Sequence, residues 1–161
     1  MINDILIKRY AVEYNRENKI YDKDDEQIWE LTHLQLSYKN IWIIDNLIGL
    51  EKLTKLQLDN NIIQKIQNLD RLVNLKWLDL SFNQIEKIEG LSTLTCLTDL
   101  SLFDNHITKI EGLDNLCKLK VLSFGKNRIT DLDATIIYLK SLKNELQVLK
   151  MSDNPYIYGS N

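Results

Sequence analysis

From Leu72 to Leu94 the chain reads LVNLKWLDLSFNQIEKIEGLSTL, with leucine or isoleucine at nearly every second or third position. That spacing is neither the alternation of a half-buried strand nor the 3.6-residue rhythm of an amphipathic helix. It mixes short-strand and turn spacing, and it is interrupted by Asn83. The same phrase recurs along the chain. LTHLQLSYKNI begins at Leu31, LTKLQLDNNII at Leu53, LKWLDLSFNQI at Leu75, LTDLSLFDNHI at Leu97, LKVLSFGKNRI at Leu119 and LQVLKMSDNPY at Leu146. The first four steps are 22 residues each and the last is 27. Such a register predicts stacked units, because one unit cannot bury its own apolar face.

The phrase is the L-x-x-L-x-L-x-x-N-x-L signature of a leucine-rich repeat. The pattern therefore predicts an α/β solenoid of about six repeats, of the 22-residue type. Parallel strands line its concave side, and short helical or irregular segments form the convex side. In each unit the L-x-L core, such as Leu78 and Leu80, points inward while the residues between point out. Ile85, Ile88, Leu91 and Leu94 carry the chain back along the convex side against the same core. Asn83 stands where the chain bends away from the strand, exposing backbone groups that need partners. A buried amide side chain both donates and accepts. Asn61, Asn105, Asn127 and Asn154 recur at that place, which predicts a structural ladder. The first repeat departs from it, with Lys39 followed by Asn40.

Two domains are expected: a capping and linker segment over residues 1–30, and the repeat domain over residues 31–161. Ile2 to Tyr14 has the spacing of a short amphipathic helix, suited to covering the first coil. The acidic run DKDDE, Asp22 to Glu26, fits a solvated linker. In the long fifth unit, DLDATIIYLKSLKNELQ predicts a helix capped near Asp131 or Asp133. After Pro155 little sequence remains to cover the final coil. That end is expected to meet a partner or a further segment.

Composition narrows the function. The chain has 161 residues, 44% of them hydrophobic, and a net charge of −3. The first thirty residues hold eight acidic and five basic side chains, whereas the remainder balances at fifteen of each. A neutral repeat region offers no clustered basic face for nucleic acid. No apolar run is long enough for a membrane span, and no secretory leader is evident. Cys96 and Cys117 fit free thiols in a reducing compartment, so the cytoplasm is the expected location. His33, Cys96, His106 and Cys117 fall at different positions of their repeats, which argues against a metal site. No nucleophile elbow or glycine-rich phosphate loop occurs. Gly90 and Gly112 recur with the repeat as turn residues. The chain is expected to be no enzyme, with no cofactor and no small-molecule substrate.

The outward strand positions are the candidate binding residues. The third residue of each unit gives His33, Lys55, Trp77, Asp99, Val121 and Val148. The fifth and seventh positions add Asp59, Asp79 and Phe103. Trp77 and Phe103 come from adjacent strands among Asp59, Asp79 and Asp99, with Lys55 beside them. This combination suits a basic or amphipathic segment. Alternatively, the aromatics only pack across neighbouring strands.

The wording of the repeats goes further than their spacing. LQLDNNIIQKI, WLDLSFNQIEKIEGL and DLSLFDNHITKI, preceded by LSYKNIWIIDNL, closely resemble the dynein regulatory complex subunit 3 family. These are the leucine-rich-repeat subunits of the nexin–dynein regulatory complex in motile cilia and flagella. The resemblance covers Leu31 to Pro155 and implies a non-catalytic scaffold in the axonemal cytoskeleton, beside coiled-coil subunits of that complex. Members of that family continue into a repeat cap and long coiled coils, which this sequence does not show. A soluble adaptor that targets a phosphatase or a small GTPase is the other expectation.

Overall fold

One three-residue strand per repeat is enough to build a continuous sheet. The strands are β1 (His33–Gln35), β2 (Lys55–Gln57), β3 (Trp77–Asp79), β4 (Asp99–Ser101), β5 (Val121–Ser123) and β6 (Val148–Lys150). They pair in parallel and in chain order as one six-stranded sheet. The computed structural model describes residues 25–143 and 145–156. The expected amphipathic helix over Ile2 to Tyr14 lies outside the described residues. So does the acidic run up to Asp24, while its last two residues open a 3-10 helix, Asp25–Glu30.

Register follows the sequence repeat without slippage. Leu34 stands beside Leu56, Leu56 beside Leu78, Leu78 beside Leu100 and Leu100 beside Leu122. A shift of one residue would turn every leucine outward, so the apolar pattern itself specifies the pairing. The extra five residues of the fifth unit are absorbed before β6, where Leu149 still aligns with Leu122.

The convex side of the regular repeats is a run of tight turns. In the third repeat Leu94 N–H donates to the Leu91 carbonyl at 3.0 Å, and Leu97 N–H to the Leu94 carbonyl at 2.9 Å. Three residues per turn bring every third side chain to the same side. Leu91, Leu94 and Leu97 therefore all face inward and are fully buried. A second turn is made by a left-handed residue that recurs every 22 positions: Asn46, Asn68, Gly90 and Gly112, with φ of 55°, 59°, 68° and 72°. The two residue types solve one problem differently. A Cβ on Gly90 would lie 2.6 Å from the Ile66 carbonyl oxygen. At the equivalent place one repeat earlier, the Asn68 side-chain amide donates to the Ile44 carbonyl at 2.8 Å.

The fifth unit alone has room for an α-helix, α1 (Leu132–Ser141). Asp131 caps it, accepting from Ala134 N–H at 2.8 Å. The helix is shorter than the stretch to Gln147 suggests. Leu142 turns to an extended conformation (φ −69°, ψ 138°) because the chain must return to β6. Tyr138 fastens α1 to the fourth repeat: its hydroxyl accepts from Leu113 N–H at 2.8 Å and reaches Asp114 Oδ2 at 3.0 Å. Burial first, and the Asp114 carboxylate beside it, push the Tyr138 hydroxyl up to about 12, against the opposing pull of the Leu113 N–H.

The two ends differ. At the first coil Ile28 packs against the core, and the Trp29 indole lies directly over Gly49, where a Cβ would come within 2.1 Å of the ring. At the last coil Leu149 is 41% exposed, although the central strand leucines of β1 to β5 are at most 2% exposed. Tyr156 folds back there, its hydroxyl donating to the Met151 carbonyl at 2.9 Å.

Candidate protein-binding face

The ladder asparagines are structural bridges, buried at Asn61, Asn83, Asn105 and Asn127 and half-buried at Asn154. Asn83 Nδ2 donates to the carbonyls of Leu58, Leu80 and Ser81, and its Oδ1 accepts from Ile63 N–H at 3.0 Å. Each asparagine thus ties its own bend to the preceding repeat. Asn61, Asn105 and Asn127 repeat this set of bonds with the same offsets, and Asn154 repeats it across the longer fifth unit, its amide donating to the Phe124 carbonyl 30 residues back. In the first repeat Lys39 stands at that place, and its backbone N–H donates to Asn61 Oδ1 at 3.0 Å.

With the amides spent on the frame, the concave surface carries the variable side chains. Trp77, Asp79 and Asp99 stand half-buried on β3 and β4. Trp77 pairs in register with Lys55 on one side and Asp99 on the other. The Lys55 ammonium sits 4.4 Å from the indole centroid, a cation–π contact that covers one ring face. The three aspartates are held by local donors. Asp59 Oδ1 accepts from Ser37 Oγ at 2.6 Å, Asp79 Oδ1 from Ser81 N–H at 2.9 Å, and Asp99 Oδ2 from Thr98 Oγ1 at 2.7 Å. None of the three makes an ion pair among the described residues. Their charge is therefore oriented but unneutralised.

Phe103 belongs to a different spot from Trp77. It lies four residues beyond Asp99, the register partner of Trp77, which at about 3.3 Å per residue puts the two rings' strand positions roughly 13 Å apart. Its ring partner is Phe82 of the preceding repeat, edge-to-face with centroids 5.5 Å apart. On the other side it fills the space above Gly125, where a Cβ would come within 3.2 Å of the Phe103 ring. The expected single aromatic pair is thus two aromatic spots, Lys55–Trp77 and Phe82–Phe103, along one acidic surface.

Phe82 is the residue that the strand positions do not reveal. It is the eighth residue of its unit, in a left-handed turn that recurs at Tyr38, Asn60, Phe82, Asp104, Lys126 and Asp153. Bulky side chains are uncommon in that conformation. The visible signal is an aromatic at a position where three other repeats place asparagine or aspartate, and only the first repeat also places an aromatic, Tyr38. No group of three or more potential metal ligands converges among the described residues, and no helix there is long and apolar enough to cross a membrane.

Comparison with known proteins agrees with this geometry at the level of the fold. Residues 73–115 match the family model for Leucine Rich repeats (2 copies). The internalin InlC2 from Listeria monocytogenes is 22% identical, with a TM-score of 0.63, over 94% of this chain and 75% of that one. The internalin InlF of the same organism is 23% identical, with a TM-score of 0.55, over 79% of this chain and 43% of the internalin. TLR13, solved in complex with ssRNA13, is 30% identical with a TM-score of 0.75 over 82% of this chain. This chain spans 20% of TLR13. No curated protein sequence matches. The fold is a leucine-rich-repeat solenoid of parallel strands.

Proposed function

We propose that this solenoid is a non-catalytic protein-binding scaffold that grips a basic or amphipathic segment on its concave face. The observation that carries the reading is the row of Asp59, Asp79 and Asp99. All three are oriented by local hydrogen bonds and lack a cation among the described residues; Asp79 and Asp99 flank Trp77, and Asp59 extends the row diagonally toward Phe82. Unneutralised carboxylates raise association rate and set orientation for a cationic partner, while a neighbouring aromatic supplies the apolar contact. The same carboxylates repel a phosphate backbone, so nucleic acid is a poor fit here.

The finer part of the proposal is a place in the nexin–dynein regulatory complex of the ciliary axoneme, beside its coiled-coil subunits. The similarity of whole repeat phrases between Leu31 and Pro155 supports it. A tagged full-length chain in a ciliated cell tests that placement. It should follow the axoneme, stay with it through detergent and leave at high salt. A chain that washes out with the detergent-soluble fraction supports a soluble adaptor instead.

A further inference from the structure

Beyond the concave strands, the chain turns outward through a second ladder of backbone bonds. Ile62 N–H donates to the Ile41 carbonyl, Gln84 to Ile63, His106 to Ile85 and Arg128 to Ile107, all at 2.8–2.9 Å. Ile62, Gln84, His106 and Arg128 thus form one continuous row along the solenoid edge. The row changes character along its length. At its first end Ile62 lies beside the repeat that carries Trp42, which is 53% exposed, and Tyr38, which is 73% exposed. At its other end a groove of about 600 Å³ is lined by Glu86, Lys87, His106, Lys109, Glu111 and Arg128. Glu111 is already engaged by Lys109 at 3.0 Å and Lys87 at 3.8 Å. The Arg128 guanidinium has no ion-pair partner among the described residues, and Glu86 is the one remaining carboxylate of the groove.

We infer that this edge is a second docking surface, for an acidic protein segment with an apolar end. The apolar end rests on Trp42 and Ile62, and a carboxylate enters the groove to meet Arg128, where Lys109 and Lys87 share Glu111 as a single partner and leave positive charge in excess. A planar guanidinium takes a carboxylate through two parallel hydrogen bonds. Four strand spacings of about 4.8 Å separate the first repeat from the fifth, close to 19 Å, which an extended segment of about six residues covers. The polarity is opposite to that of the concave face, whose aspartates select a cationic partner. One short solenoid would then hold two partners of opposite charge on adjoining surfaces.

The test is fluorescence anisotropy of the full chain with a labelled synthetic peptide of about seven residues, leucine and phenylalanine at one end and glutamates after them. Saturable binding that weakens with added salt is expected. Arg128→Glu with Lys109→Glu should weaken it about tenfold or more, and so should Trp42→Ser with Ile62→Ser. Trp77→Ala should leave it unchanged, because that side chain belongs to the concave face. All four edge side chains are exposed, so the variants should keep the wild-type melting profile. No saturable binding at about 1 mM peptide overturns the inference. So does undiminished affinity in the charge-reversed protein, or a loss caused by Trp77→Ala with none from Arg128→Glu.

Discussion

Asn83 joins three carbonyls and one N–H across two repeats, so its removal strands buried backbone groups on both. Asn83→Ala should destabilise the protein by about 1–3 kcal/mol, read as a lower midpoint in urea unfolding. An unchanged midpoint would mean that water replaces the amide. The left-handed turn makes a sharper comparison. Gly90→Ala forces a Cβ to within 2.6 Å of the Ile66 carbonyl oxygen in a left-handed conformation, so a loss of at least about 1–2 kcal/mol is expected. Asn68→Gly at the equivalent turn gives up one hydrogen bond but relieves the same strain. It should cost less than about 1 kcal/mol in the same assay. The asparagine ladder was legible in the sequence, because only one residue type recurs at that bend and its chemistry matches orphaned backbone groups. Asn46 and Asn68 were not legible as partners of Gly90 and Gly112. Their likeness is a shared φ, and side-chain identity conceals it.

At the scale of elements, strand register was readable because each L-x-L pair has one buried face, whereas the span of α1 was not. The apolar residues after Ser141 suit either a helix or the return to β6, and the sheet decides between them. Tyr138 is the side chain that fastens this helix, and its raised pKa gives a handle on the attachment. A tyrosine whose folded pKa is about 12, above the ordinary value of 10.0, binds its proton more tightly in the folded state. The stability this contributes is fully present below pH 10 and is lost as pH rises toward 12. Tyr138→Phe should therefore lower stability at neutral pH yet show a shallower loss between those two values, checked by thermal melts in matched buffers. An equally steep loss in both proteins would mean that other groups carry the alkaline transition.

For the whole molecule, the sequence spacing was enough to predict six stacked coils, an acidic concave surface and Trp77 upon it. It did not reveal that the Lys55 ammonium covers one face of that indole, or that Phe103 pairs with Phe82 and not with Trp77. Both depend on offsets along the strand and on the residue after it, which a list of outward strand positions does not contain. These contacts shape the docking expectation. An incoming cationic side chain can take over the place of Lys55 on the indole, so the contact is an exchange of one cation for another. Trp77→Ala then removes the platform while costing the fold only the exposed cation–π contact, about 0.5–1 kcal/mol, and the packing of a half-buried ring. The most direct measurement of the central claim is retention of tagged full-length protein on detergent-washed axonemes, comparing wild type, Trp77→Ala and the exposed convex change Arg71→Ala. Wild type and Arg71→Ala should stay bound and Trp77→Ala should wash away while keeping its melting profile. Retention of Trp77→Ala at the wild-type level, or its loss together with Arg71→Ala, would contradict the concave face as the site of contact.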